Sequence, residues 1–138
     1  MLQRSSALLY ALHPPTAPIV APETLTPTRR IRVSPDDGVS EADQRWSAFL
    51  TCTTSGGGVA TVDVALWHSP DGNTFVPLAS GVFTQIKTTG GHAEGIALDH
   101  EEPLFPYVRA RIACAGGPPM NLTDIEIKLC ANGLFTVV

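Results

Sequence analysis

The sequence predicts an all-β protein, an antiparallel β-sandwich or jelly roll of about eight to nine strands. Three observations carry that reading. Hydrophobic residues make up 43% of the 138 residues and charged residues only 16%, enough apolar material for a core. Gly and Pro number 12 each, and Val, Ile and Thr are abundant, which favours turns and strands over helices. From residue 29 onward apolar and polar residues alternate with period two, and turn signals recur about every 8–12 residues.

Residues 28–33 read as a first strand. In 45–54, Trp46, Ala48, Leu50 and Cys52 share one face and Ser47, Phe49, Thr51 and Thr53 the other. Residues 59–68 place Ala60, Val62, Val64 and Leu66 inward, with Asp63 opposite. Runs 74–78, 82–88 and 94–98 follow as three separate strands. In 107–114, Val108, Ala110, Ile112 and Cys114 point inward and Arg109 and Arg111 outward. In 122–131, Ile125, Ile127 and Leu129 point inward and Asp124, Glu126 and Lys128 outward. A charge ladder is expected between those arginines and that acidic strand, taken as neighbours. Residues 134–138 form a final strand. Helical period is confined to residues 3–12, and a short turn is expected at 40–44.

Composition changes near residue 28, which divides the chain into an arm, 1–28, and a sandwich domain, 29–138. The arm holds Pro14, Pro15, Pro18, Pro22 and Pro27 but only two charges, Arg4 and Glu23. So many prolines interrupt a helix or ladder and leave an extended strap. Its apolar residues, among them Leu8, Leu9, Tyr10, Leu12, Ile19 and Val20, require a surface to lie against. Fully extended it reaches up to ~90 Å at about 3.3 Å per residue. Arg29, Arg30 and Arg32 stand where arm meets domain, suited to bidentate contact with carboxylates of a neighbouring subunit. These nine residues are the expected interface. Removing residues 1–25 is expected to leave a folded domain that no longer associates.

Several motifs point to structure rather than chemistry. Ser69-Pro70-Asp71-Gly72-Asn73 has the order of a type I turn with a left-handed glycine, and lacks the longer oxygen ladder of a calcium loop. Ser34-Pro35-Asp36-Asp37-Gly38 is a looser version. Gly56-Gly57-Gly58 and Gly116-Gly117-Pro118-Pro119 precede neither Lys-Ser/Thr nor a helix, so they read as hairpin connections, not phosphate loops. His13, His68, His92 and His100 have no metal-ligand spacing, and no nucleophile motif occurs. Asp63 and Glu126 could form a distant acid pair only if the fold brought them together. No cofactor is expected, and no enzymatic activity.

Cys52, Cys114 and Cys130 are odd in number and widely spaced, each inside a strand-like run, as expected of free thiols in a reducing cytoplasm. A formal charge of −4 gives no basis for a nucleic-acid partner. The apolar run 7–12 after Arg4 is shorter than a usual signal-peptide core, and no stretch approaches the ~20 apolar residues of a membrane span. A soluble protein with no membrane partner is expected.

The stretch Val64-Ala65-Leu66-Trp67-His68-Ser69-Pro70-Asp71-Gly72-Asn73-Thr74-Phe75-Val76-Pro77-Leu78, followed by Pro106-Tyr107-Val108-Arg109-Ala110-Arg111-Ile112, resembles small bacteriophage virion structural β-sandwich proteins. The resemblance spans about residues 60–130. It implies a capsid-decorating or stabilising protein, or a head–tail accessory, assembled in the host cytoplasm and located in the virion. Its partners would be further copies of itself, the major capsid protein or other virion subunits. A carbohydrate- or receptor-binding module is the alternative, with Trp46, Trp67, Phe75 or Tyr107 as a stacking platform.

Overall fold

A computed structural model describes residues 2–4, 8–14, 23–31, 45–56, 60–99, 101–116, 121–132 and 134–136. In chain order its strands are β1 (Leu2–Arg4), β2 (Leu8–Leu12), β3 (Glu23–Leu25), β4 (Arg29–Arg30), β5 (Arg45–Ser55) and β6 (Thr61–Ser69), then β7 (Val76–Val82), β8 (Gly90–Ala97), β9 (Tyr107–Ala115), β10 (Asn121–Asn132) and β11 (Leu134–Thr136). Among the described residues there is no helix.

Nine strands form two antiparallel sheets. One runs β2-β10-β5-β8; the other runs β3-β9-β6-β7, with β4 following β3 along the same edge of β9. The pairs β2·β10, β3·β9, β5·β8 and β6·β7 are nested, outermost to innermost, like one long ribbon folded at the β6–β7 turn. That ribbon is rolled so that β10 also pairs with β5 and β9 with β6. The fold is a jelly roll. β1 and β11 make a separate two-stranded pair.

The alternation read from the sequence sets the core between the sheets. Trp46, Ala48, Leu50 and Cys52 of β5 and Leu122, Ile127 and Leu129 of β10 face Val62, Val64 and Leu66 of β6 and Val108, Ala110 and Ile112 of β9 in one cluster. Cys52 and Cys130 are buried and Cys114 is half-buried.

Several expectations are corrected. Residues 3–12 do not form a helix: 2–4 and 8–12 are strands, and Leu12 is 1% exposed in the core. The prolines do not exclude the N-terminal segment from the sheets, because it supplies short edge strands with prolines beyond their ends. Where Pro27 interrupts the edge, Thr26 repairs it. Its amide donates to the Ala110 carbonyl at 3.0 Å and its hydroxyl accepts from the Ala110 amide at 2.9 Å. Runs 74–78 and 82–88 are not two strands; one strand, β7, crosses Gly81, which is packed against Leu66 and does not turn the chain. The glycine-rich segments after β5 and β9 are not hairpins, since β6 and β10 lie in the opposite sheet from the strands before them. The expected turns at 34–38 and 40–44 lie outside the described residues.

Candidate interaction surfaces

The β6–β7 hairpin is built as its sequence implies. The Ser69 hydroxyl donates to Asp71 Oδ1 at 2.8 Å and accepts from the Gly72 amide at 2.9 Å. Asp71 Oδ1 also accepts from the amides of Asn73 at 2.8 Å and Thr74 at 3.0 Å. Those amides, first Thr74 and then Asn73, with the Ser69 hydroxyl, hold the Asp71 carboxyl down to about 2. Gly72 takes φ +81°, and the Tyr107 ring lies 3.3 Å from where a Cβ would stand. The carboxylate is thus occupied by the turn, and among the described residues no cluster of three His, Cys, Asp or Glu could hold a metal ion.

Two further carboxylates fix loops in the same way. Glu102 accepts from the Ala79 amide at 2.8 Å, the Ser80 amide at 2.9 Å and the Ser80 hydroxyl at 2.6 Å. Burial would raise its pKa, but those donors, and the nearby His68, together hold it below the usual range. His68, 4% exposed, accepts from the Phe105 amide through Nδ1 at 3.1 Å and packs on the Phe105 ring at 4.6 Å. Burial pushes His68 down, against the opposing pull of Glu102. Glu94 accepts from the Thr84 amide at 2.8 Å and hydroxyl at 2.7 Å. A cleft of about 280 Å³ opens beside it, with Leu50 and Ile86 among its apolar lining and His92 and Gln85 among its polar groups.

The expected interface residues are partly brought together. Leu8 and Leu9 lie in β2 opposite Ala131 and Cys130, and Leu9 is 56% exposed. Tyr10 is half-buried, its ring 6.1 Å from that of buried Trp46. The Arg29 guanidinium stands 5.5 Å from the Tyr10 ring centre, and that of Arg30 stands 5.8 Å from Tyr107. Leu12 is inside the core. Ile19, Val20 and Arg32 lie outside the described residues.

The expected ladder between Arg109, Arg111 and the acidic face of β10 does not form, because β9 and β10 belong to different sheets. Arg111 instead binds Glu23 of the N-terminal segment, through Nε at 2.7 Å and a terminal nitrogen at 2.6 Å. The Arg109 guanidinium carbon stands 3.9 Å from the Phe75 ring centre, and among the described residues its Nε finds no hydrogen-bond acceptor. No short-range motif announces these arginine–aromatic pairs; only the sheet order creates them. Asp63, on the five-stranded sheet, accepts from Gln85 Nε2 at 3.1 Å and is not brought to Glu126 on the other sheet.

No family model and no curated protein matches the chain. Among solved structures, the chain is similar to one of infectious bursal disease virus Gx strain, at 10% identity and a TM-score of 0.48, covering 96% of this chain and 31% of that one. It thus spans about a third of that viral chain's length. It is also similar to a carbohydrate-binding module specific for non-crystalline cellulose, at 8% identity and TM-score 0.46, covering 97% and 78%. A third is the Kashmir bee virus empty particle at acidic pH, at 4% identity and TM-score 0.41, covering 100% and 94%. The likeness is one of architecture and carries no ligand or partner over to this chain.

Proposed function

We propose that the chain is a non-enzymatic structural subunit of a bacteriophage particle, a capsid-decorating or stabilising protein that docks on neighbouring virion subunits. The observation that supports this most directly is the distribution of polar and apolar groups. Asp71, Glu94 and Glu102 are directed onto backbone amides and lock the loops. Leu9, Leu25, Phe49, Val76 and Val82 remain exposed on edge strands and sheet faces. A rigid block with apolar margins suits assembly, and jelly rolls serve in viral capsids as well as in lectins, by analogy of fold alone.

Docking is proposed at Leu9, Tyr10, Arg29 and Arg30, with Leu8, Ile19, Val20 and Arg32 continuing the segment. Leu12 contributes by anchoring the segment in the core. The sugar-platform reading has less support: Arg109 covers Phe75, Arg30 stands over Tyr107, and Trp46 is 7% exposed.

Co-sedimentation with purified phage particles tests the proposal. Wild type is expected to pellet with its particle, and Leu9→Glu and Arg29→Glu to stay in the supernatant while keeping the wild-type melting temperature. Equal binding by both variants would remove the N-terminal segment from the interface. Deleting residues 1–25 is a poorer test than it looks from sequence, because it takes Leu12 from the core and an edge strand from each sheet.

A further inference from the structure

The sandwich has edges at β2, at β3 with β4, at β7 and at β8, and most carry a feature that discourages pairing with another chain. β3 and β4 are three and two residues long and charged, with Glu23, Arg29 and Arg30. β2 has five residues and is followed by His13-Pro14. β7 contains Pro77, has a register shift against β6, and has the amides of Ala79 and Ser80 capped by Glu102. β8, Gly-Gly-His-Ala-Glu-Gly-Ile-Ala, has eight residues, no proline, no lysine and no register shift against β5.

The ladder shows which backbone groups β8 leaves free. The Leu98 amide donates to the Trp46 carbonyl at 2.9 Å, continuing the register that sets Ile96 opposite Ala48 and Glu94 opposite Leu50. Backbone groups alternate sides along an antiparallel strand. The even-numbered residues therefore bond β5, and Gly91, Ala93, Gly95 and Ala97 direct amide and carbonyl outward. Among the described residues nothing pairs with them. Their own side chains on the outer face are hydrogen or methyl; nothing lies within 4 Å of a Cβ added at Gly91, and the Phe49 ring of β5 covers Gly95.

We propose that β8 pairs edge to edge with β8 of a second copy, in antiparallel register about a two-fold axis at Ala93. That register sets Gly91 opposite Gly95 and Ala93 opposite Ala93 as hydrogen-bonded pairs, using the outward groups of both strands. It sets His92 of each copy opposite Glu94 of the other, so that no two like groups face each other across the seam, while both side chains keep their bonds to Thr84 and Thr88 of their own chain. Moving the axis to residue 94 would oppose two glutamates, and moving it to 92 would oppose two histidines. The two four-stranded sheets then become one eight-stranded sheet. The pairing lies on the opposite flank from the N-terminal segment and does not depend on it.

Light scattering with size exclusion tests this on the full chain. Wild type is expected at about twice 14.6 kDa at micromolar concentration. Ala93→Pro removes one outward amide without touching the β5 ladder, and Ala93→Lys places two like charges at the axis. Both are expected to halve the mass while keeping a β-type circular dichroism spectrum. A monomeric wild type, or variants that remain dimeric, would overturn the proposal. So would concentration-independent protection of the 91, 93, 95 and 97 amides in hydrogen exchange, which would mean that the chain covers its own edge. Should both variants unfold, Ala93→Cys with a short thiol crosslinker decides: a covalent dimer through residue 93 supports the pairing, and its absence refutes it.

Discussion

β7 and β8 end their respective sheets on the same flank of the sandwich, yet they are held and guarded in opposite ways. β7 follows β6 through a tight hairpin, and side chains close its outer margin: Pro77 removes a donor and Glu102 caps two amides. β8 is reached by crossing from one sheet to the other, and among the described residues its backbone pairs with β5 alone. Gly90 and Gly91 stand open, and at Gly95 the neighbour is the Phe49 ring of β5 itself. One edge is closed by the chain itself, and the other is left to whatever approaches it.

The sharpest way to break the comparison is to add one methyl group to each strand. A Cβ at Gly81 of β7 would lie 2.9 Å from Leu66 Cβ and 3.1 Å from Leu78 Cδ2, inside the core. Gly81→Ala is expected to cost about 1–3 kcal/mol through overpacking. At Gly91 of β8 nothing lies within 4 Å of the same added atom. Gly91→Ala is expected to be neutral or to gain about 0.4–1 kcal/mol by restricting the unfolded chain. Urea denaturation of both variants at a concentration where wild type is monomeric gives the two signs. Equal losses would mean that β8 is packed against something, and the contrast would fail.

Next in size is the latch on β7. Glu102→Gln keeps one acceptor but loses the charge-assisted pair, and is expected to cost on the order of 1 kcal/mol at this partly exposed site. The pH dependence follows from two depressed pKa values. Both Glu102 and His68 lie below their usual values in the folded protein, so the unfolded chain takes up protons first as pH falls. Stability is full above the unfolded values and declines on acidification, through His68 below about 6.5 and then through Glu102 below about 4.3. Thermal melts from pH 8 to 3 are expected to show wild type and Glu102→Gln converging below pH ~4. A gap that widens with acid would refute the latch.

What the sequence made legible follows the same local and non-local divide. The inward face of β5, Trp46-Ala48-Leu50-Cys52, and the Ser69–Asn73 turn are settled by neighbours a few residues apart, and both stand in the structure as read. The sequence separates 74–78 from 82–88, whereas one strand runs through Gly81, whose place is set by the approach of Leu66 from another strand. Arg111 was assigned to β10, the next strand in sequence, whereas its partner Glu23 is 88 residues away. The N-terminal segment reads as an extended strap in need of a surface, because its edge-strand role needs β9 and β10 already in place. That β8 forms an edge at all depends on strand order, which no single segment encodes.

The smallest effect is expected at the hairpin that delivers the chain to β7. Asp71 accepts from the Thr74 and Asn73 amides and the Ser69 hydroxyl with one oxygen, and the turn lies at the surface. Asp71→Asn retains an acceptor of similar shape but removes its charge, so the turn should persist with weaker bonds. The loss in melting temperature at pH 7 is expected to be smaller than that of Glu102→Gln. Its pH dependence separates the two sites. With a folded value of about 2 against an ordinary carboxylate value, the Asp71 contribution is complete above roughly pH 4 and fades only between there and pH 2. Melts of wild type and Asp71→Asn should therefore run parallel from pH 7 to about 4.5 and close only in stronger acid. Closure already near pH 6 would show that the difference belongs to the His68 region and not to the turn, and β7 would then be held by its latch alone.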